Sequence, residues 1–237
     1  MQAVGRSWQG IRSRNEDVYT IRTDLNLVAV ADGMGGAPGG NIASRLTIDE
    51  FSDSLENCKN NGGSKAKDLV DAAVNANSLV NQRPAMQPEL TGMGSTIVAA
   101  LFRGEEIDLC HVGDSRAYLY RKKNLTQITQ DHSVIQGMIS RGEVTAEEAE
   151  NLPIKHALTQ AIGPSSKITP ELNHVLLGQR DVLLLCSDGL CGFVPEEEIC
   201  DILSAHGHSL RTAMNVLVES AMKFGSTDNI TVVLAKL

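Results

Sequence analysis

An α+β fold, with sheets and helices stacked in separate layers, is the class this sequence predicts. Short apolar runs of β-like composition follow one another in groups, each bounded by Gly, Asp or Asn. Segments with helical periodicity come in blocks between those groups and do not alternate with single strands, which argues against a doubly wound parallel sheet. The 237 residues, 42% hydrophobic and 21% charged, hold enough apolar material for a sizeable core without disulfide or metal staples.

Taken in order, the strands predicted are residues 18–23, 27–31, 96–102, 107–112, 117–121, 182–186 and 230–234. A helix opens near Gly40 and presents Ile48, Phe51 and Leu55 on one face. Leu69, Ala73, Ala76 and Val80 recur at helical spacing and mark a second; Met214, Leu217, Ala221 and Phe224 mark another, with a shorter helix over 196–203. Residues 60–64 and 84–88 read as loops inside one domain spanning 1–237, since no repeat, low-complexity tract or Pro/Ser-rich linker divides the chain.

The net charge of −8 argues against general binding to nucleic acid or anionic membrane, both of which require neutralising phosphates. The longest apolar run, Ile97 to Phe102, is far short of the ~20 residues of a membrane-spanning helix, so no membrane insertion is expected. The opening MQAVGRSWQG has no apolar signal region, which makes the cytoplasm the expected compartment. Five cysteines, an odd number without a C-x-x-C pair, read as reduced and mostly buried thiols.

Carboxylates at strand ends are the most informative feature. Asp17 precedes one apolar run and Asp228 another; Asp32 and Asp188 end two more, each followed by Gly, and Asp114 follows a fourth. Each alone fits a turn in which Asp bonds backbone and Gly supplies positive φ. Five converging at one edge of the core would repel each other unless cations neutralise them. Oxygen-only ligands select Mg²⁺ or Mn²⁺, with Ca²⁺ a competitor. Zinc finds no Cys/His set, and His206-Gly207-His208 reads as a loop between two helices.

Asp32-Gly33-Met34-Gly35-Gly36, Gly113-Asp114-Ser115-Arg116, Ser187-Asp188-Gly189-Leu190 and Asp228-Asn229-Ile230-Thr231 together resemble the signatures of the metal-dependent protein phosphatases, the protein phosphatase 2C family, in its bacterial branch. The segment Arg12 to Asp17, Met93-Gly94-Ser95-Thr96 and Thr129-Gln130-Asp131-His132-Ser133 match further blocks in the family's order, from about residue 5 to the C-terminus. The resemblance implies a four-layer αββα sandwich of two antiparallel sheets flanked by helices, with a cleft at one edge bordered by a flap over approximately 133–165. It implies two core Mn²⁺ or Mg²⁺ ions and a third, weaker one. Asp32 would bridge the core ions, the carbonyl of Gly33 would complete one site, and Asp188 and Asp228 the other. Asp17 and Glu16 would hold metal-bound waters, with Glu16 and Asn229 in the second layer, and Asp114 with Asp188 would take the third ion. Arg12 would grip the substrate phosphate, for which a guanidinium suits better than an ammonium.

The implied activity is hydrolysis of phosphoserine and phosphothreonine in proteins by a metal-activated water, with Asp32, Asp188 and Asp228 as catalytic residues. A serine/threonine kinase on another chain would supply the phosphorylated proteins. Met34 stands where many eukaryotic members have the His proposed to protonate the leaving group. Three rival readings exist. Cys110 and Arg116 fit the C-x5-R of a cysteine phosphatase, although an apolar strand disfavours a thiolate. A nucleotide-binding loop over 27–51 fails because the third glycine of the fingerprint is Pro38 and no G-K-[ST] follows. A phosphoprotein-binding regulator on the same fold would be expected to lose ligands, and here every matched position is kept.

Overall fold

Two five-stranded antiparallel sheets face each other and each carries helices on its outer side. This is the architecture of the computed structural model of the chain, which describes residues 1–34, 39–62, 65–149, 152, 154 and 157–237, the side chain of Ala146 excepted. The strands are β1 (Gln2–Trp8), β2 (Val18–Arg22), β3 (Leu27–Ala31), β4 (Ile97–Arg103), β5 (Glu106–Val112), β6 (Arg116–Arg121), β7 (Asn124–Gln127), β8 (Glu171–Leu176), β9 (Val182–Cys186) and β10 (Ile230–Lys236). The helices are α1 (Gly40–Asn60), α2 (Ala66–Gln82), α3 (Val134–Ser140), α4 (Ala146–Ala149), α5 (Asp188–Cys191), α6 (Glu196–His206) and α7 (Leu210–Lys223). One sheet runs β1-β10-β9-β6-β7 and the other β2-β3-β4-β5-β8.

Strand periodicity sorts the core into three layers. In β3, Leu27, Ala29 and Ala31 pack toward α1 and α2, while Val28 and Val30 point at the facing sheet. In β9, Leu184 and Cys186 join the cluster under α6 and α7, while Leu183 and Leu185 enter the layer between the sheets. A strand covered on both faces has no polar side to alternate, which is why these central strands read as continuous apolar runs.

The four predicted helices and all seven predicted strands are present, with ends moved by a few residues. Phe224 departs from expectation: it caps α7 and is half exposed instead of lying on the buried face. Trp8 closes β1 half exposed, with the Arg6 guanidinium 5.1 Å from its ring centre. Three strands escaped the sequence pattern: β1, β7 and β8. Each is a sheet edge, and none has a fully buried residue in its burial pattern. An edge strand backs on solvent, so it lacks the apolar run that announces a central one. The five thiols are free, and no helix among the described residues is long and apolar enough to cross a membrane.

Register fixes where the site must form. Val18 pairs with Ala31, Val30 with Val98 and Ile97 with Val112, so Asp17, Asp32 and the turn after β5 share one edge of their sheet. Arg116 and Val232 both pair with Cys186, which puts the start of β6, the end of β9 and the start of β10 at one edge of the other sheet. The turn 113–115 joins β5 to β6, so the two edges are the same edge of the sandwich. The layering predicts a contrast measurable by urea unfolding. Leu184→Ala, in the fully buried layer under α6 and α7, should cost ~2–5 kcal/mol. Leu176→Ala, 61% exposed on the edge strand β8, should stay within ~0.5 kcal/mol.

Candidate active site

Asp17 sits at the seam between the sheets. Its Oδ2 accepts hydrogen bonds from Ser187 Oγ (2.8 Å) and Thr231 Oγ1 (2.7 Å), both from the opposite sheet. Its Oδ1 is buried and receives none among the described residues. Ser187 is itself held by the Thr231 amide, which donates to its Oγ at 3.0 Å. Asp32 leaves the end of β3 with its backbone clamped. Its amide donates to Thr96 Oγ1 (3.0 Å), and its carbonyl accepts from the Thr96 amide (2.8 Å) and Ser95 Oγ (2.9 Å). Thr96 Oγ1 also lies 2.7 Å from Ser115 Oγ, tying Asp32 to the turn that carries Asp114.

The glycines beside these acids serve close approach more than turn geometry. A Cβ on Gly33 would lie 2.3 Å from the Gly40 carbonyl oxygen, and one on Gly189 would lie 1.8 Å from that of Asn229. Neither has positive φ, so the turn explanation holds only for Gly113, at φ +113°. Gly39, at φ +77°, turns the chain into α1; Gly35, Gly36, Ala37 and Pro38 lie outside the described residues.

Four of the five carboxylates interact directly. Burial, with the charge of Asp188 adding to it, pushes Asp17 up to about 6 despite its two hydroxyl donors. Burial and then the charges of Asp17, Asp188 and Asp114 hold Asp32 well above the usual carboxylate range. Burial, Asp188 and Asp131 push Asp114 up to about 7. Burial and like charge make it costly to ionise such a set together unless positive charge offsets them. A buried Asp17 oxygen without a donor among the described residues, in a set crowded by like charges and lacking sulfur or imidazole, fits hard divalent cations. The donor set therefore suits Mn²⁺ or Mg²⁺.

Asp228 stands slightly apart. Its Oδ2 accepts from Arg12 Nη2 at 2.6 Å and its Oδ1 from the Asn229 amide at 2.8 Å. Arg12 also donates through Nε to the Thr227 carbonyl (3.1 Å), and its side chain remains 44% exposed at the rim. Asn229 fastens the loop that presents Arg12. Its Oδ1 accepts from the Glu16 amide, and its Nδ2 donates to the carbonyls of Gln9 and Arg14. The Glu16 carbonyl accepts from the Gly33 amide (3.1 Å) and from Ser44 Oγ, while its carboxyl lies against Gly40 at the start of α1.

The C-x5-R reading does not survive the geometry. Cys110 is fully buried, and burial pushes its thiol up to about 12. Arg116 is engaged by the Asp131 carboxylate, Nε to Oδ1 at 2.9 Å and Nη2 to Oδ2 at 2.7 Å, and by Tyr118 Oη at 3.0 Å. His206 ends α6, and Gly207 and His208 lie in the turn to α7.

Asp131 and His132 carried no assigned role in the sequence, and the structure gives them one. His111, His132 and Glu171 form a cluster beside the Asp114 turn, with one possible ligand atom from each within 4.8 Å of the others. His111 Nε2 donates to the Gln130 carbonyl (2.8 Å), leaving Nδ1 buried without a partner among the described residues. The two imidazoles are stacked, centroids 4.5 Å apart and planes 22° from parallel. A metal bonds imidazole near the ring plane, so one ion cannot serve both rings as they stand. The pair is a packed unit, and the sequence motif Thr129–Gln130–Asp131–His132–Ser133 was its only signal.

Comparison with known proteins places this geometry. The protein phosphatase 2C family description matches residues 4–223. The serine/threonine protein phosphatase PstP of Mycobacterium tuberculosis is 38% identical over 99% of this chain, which spans only 45% of that relative's length. The serine/threonine phosphatase stp of Listeria welshimeri is 36% identical over 100% of this chain and 96% of its own. The crystal structure of the PstP catalytic domain with two manganese ions superposes with a TM-score of 0.87 at 36% identity, covering 99% of this chain and 97% of that one. Stp1 of Staphylococcus aureus gives 0.91 at 30% identity, covering 100% and 94%. With its whole length spanned by such relatives and 220 of its residues by the family description, this chain belongs to the protein phosphatase 2C family.

Proposed function

We propose that this chain is a metal-dependent serine/threonine protein phosphatase, forming a single catalytic domain whose substrates are phosphorylated proteins. One observation carries the reading: four crowded carboxylates at a sandwich edge, three of them pushed above the usual carboxylate range, with an exposed arginine at their rim. The relatives' names and the manganese in PstP support it.

In this reading Asp32, the Gly33 carbonyl, Asp188 and Asp228 would hold two core ions. Asp17 would complete the inner set, with Glu16 and Asn229 behind it, and Asp114 and Asp188 would hold a third, weaker ion. The bound Mn²⁺ or Mg²⁺ ions supply Lewis acidity toward the phosphoryl oxygens and acidify the attacking water. Asp17 holds its carboxylate toward the seam because Ser187 and Thr231 fix the other oxygen. Arg12, planar and fixed by the Thr227 carbonyl, offers its remaining N–H groups to a phosphate arriving at the rim. Release of Arg12 from Asp228 frees that carboxylate for a cation and the guanidinium for the phosphate, so the ion pair is a resting arrangement.

The segment of roughly 133–165, of which residues 150, 151, 153, 155 and 156 lie outside the described residues, would act as a flap rooted where Ser133 bridges Leu158 and Ile162 bridges Ser95 beside Asp32. Five free thiols suit the reducing cytoplasm, where a separate serine/threonine kinase would make the substrates. A phosphoprotein-binding regulator on the same fold would bind such peptides without turning them over.

Two measurements test the reading. Turnover of a phosphothreonine peptide should vanish in EDTA and return with Mn²⁺, while Cys110→Ser remains active; an enzyme indifferent to EDTA and inactivated by Cys110→Ser would overturn it. Arg12→Ala should act mainly on KM, lowering kcat/KM by ~1.5–3 kcal/mol for the lost charge-assisted contact. Unchanged phosphopeptide kinetics would make Arg12 only a partner for Asp228.

A further inference from the structure

The residues flanking Asp114 are each fastened from outside the turn. Arg116 is gripped by Asp131, and Ser115 Oγ meets Thr96 Oγ1 at 2.7 Å. Gly113 is held at both its polar atoms by one residue, His132: its carbonyl accepts from the His132 amide at 2.8 Å, and its amide donates to His132 Nδ1 at 3.3 Å. Gly113 has no freedom on its other side, because a Cβ there would lie 2.6 Å from Thr96 Cγ2. The φ of +113° that this grip stabilises determines the direction in which Asp114 leaves the turn.

His132 is in turn fixed from three directions. Its ring stacks on the fully buried His111, its Nε2 faces Glu171 Oε2 at 3.7 Å, and its carbonyl accepts from the Thr159 amide at 2.8 Å. An Nδ1 that accepts from Gly113 leaves the proton on Nε2, toward Glu171. Its backbone belongs to the flap root: Ser133 caps α3 through its Oγ and bridges Leu158, and the Val134 amide donates to the Ala157 carbonyl at 2.8 Å. The same residue therefore touches the turn through its imidazole and amide, and the base of the flap through its carbonyl.

We propose that His132 is a positioning residue that sets Asp114 for its cation, linking the root of the flap to that carboxylate. It touches neither substrate nor cation and acts through the Gly113 backbone. The inference rests on the reading of Asp114 as a cation ligand, so its test treats the two separately. Mn²⁺ is titrated by calorimetry into wild type, Asp114→Ala, His132→Ala, His132→Asn and the double alanine variant, alongside melting in EDTA and phosphopeptide kinetics. Asn places an acceptor close to the position of Nδ1, whereas His132→Gln places its carbonyl further out.

Asp114→Ala should lose the weakest Mn²⁺-binding event. His132→Ala should weaken the same event about 10- to 100-fold, as loss of an outer partner of a metal ligand does, and leave the tighter events alone. The kcat should fall with little change in KM, His132→Asn should restore both the event and kcat, and the double variant should be no worse than Asp114→Ala. A purely structural role predicts otherwise: His132→Ala would lower the melting temperature in EDTA with the weak event intact, or would weaken every event alike. Either result overturns the proposal while leaving the Asp114 reading in place. Retention of every binding event by Asp114→Ala would overturn the reading of Asp114 and the inference with it. Should His132→Ala fail to fold, the comparison of Asn with Gln decides: equal Mn²⁺ binding by both contradicts a role for the Nδ1 acceptor.

Discussion

Mutual repulsion among Asp17, Asp32, Asp114 and Asp188 is the constraint around which the rest of the molecule is arranged. Desolvation is the largest influence on the first three, and like charge adds to it, so the fold holds in place acids that would be more stable apart or protonated. That arrangement persists because the apolar layers fix the strand ends. Asp17 and Asp32 extend neighbouring strands of one sheet, Asp188 extends a strand of the other, and Asp114 lies on the turn that joins them. The free energy that brings the carboxylates together comes from the burial of Val28, Val30, Leu183, Leu185 and Val233 between the sheets, not from the site itself.

The scaffold around the acids is nearly free of cations. Hydroxyls of Ser187 and Thr231 make the contacts to the Asp17 carboxylate that a lysine or arginine could have made, while Ser95, Thr96 and Ser115 hold the Asp32 backbone and the Asp114 turn. A neutral donor orients a carboxylate without cancelling its charge, so the set remains available to a divalent ion. Arg116, which is close enough to be felt by Asp114, is already committed to Asp131. Among the described carboxylates Arg12 pairs with Asp228, which lies outside the crowded four. Positive charge is thus placed where a phosphate arrives and kept from where the ions would bind.

The sequence disclosed this arrangement unevenly, and the reasons are physical. Central strands such as β3 and β9 were legible because burial on both faces leaves only apolar residues. The edge strands β1, β7 and β8 were not, since solvent on one side removes that pattern. The acids were legible because Asp at the end of an apolar run is a positional signal. Their glycine neighbours were misread in part: Gly33 and Gly189 are required by backbone passing within contact distance, which no local pattern can reveal. Single hydroxyls and the His111–His132 stack have no periodic signature, because their roles depend on residues far away in the chain.

The central claim is that the cluster is strained without cations and relieved by them, and melting of wild type and Asp32→Asn in EDTA and in Mn²⁺ tests it most directly. An acid whose pKa is raised by folding weakens the fold progressively as pH rises above its unfolded value of about 4. The account therefore predicts that Asp32→Asn, which removes a buried like charge, melts above wild type in EDTA at pH 8. The difference should shrink as pH falls toward 4, and Mn²⁺ should raise the Tm of wild type far more than that of the variant. An Asp32→Asn protein that melts below wild type in EDTA at every pH, and that Mn²⁺ stabilises as much as wild type, would contradict it.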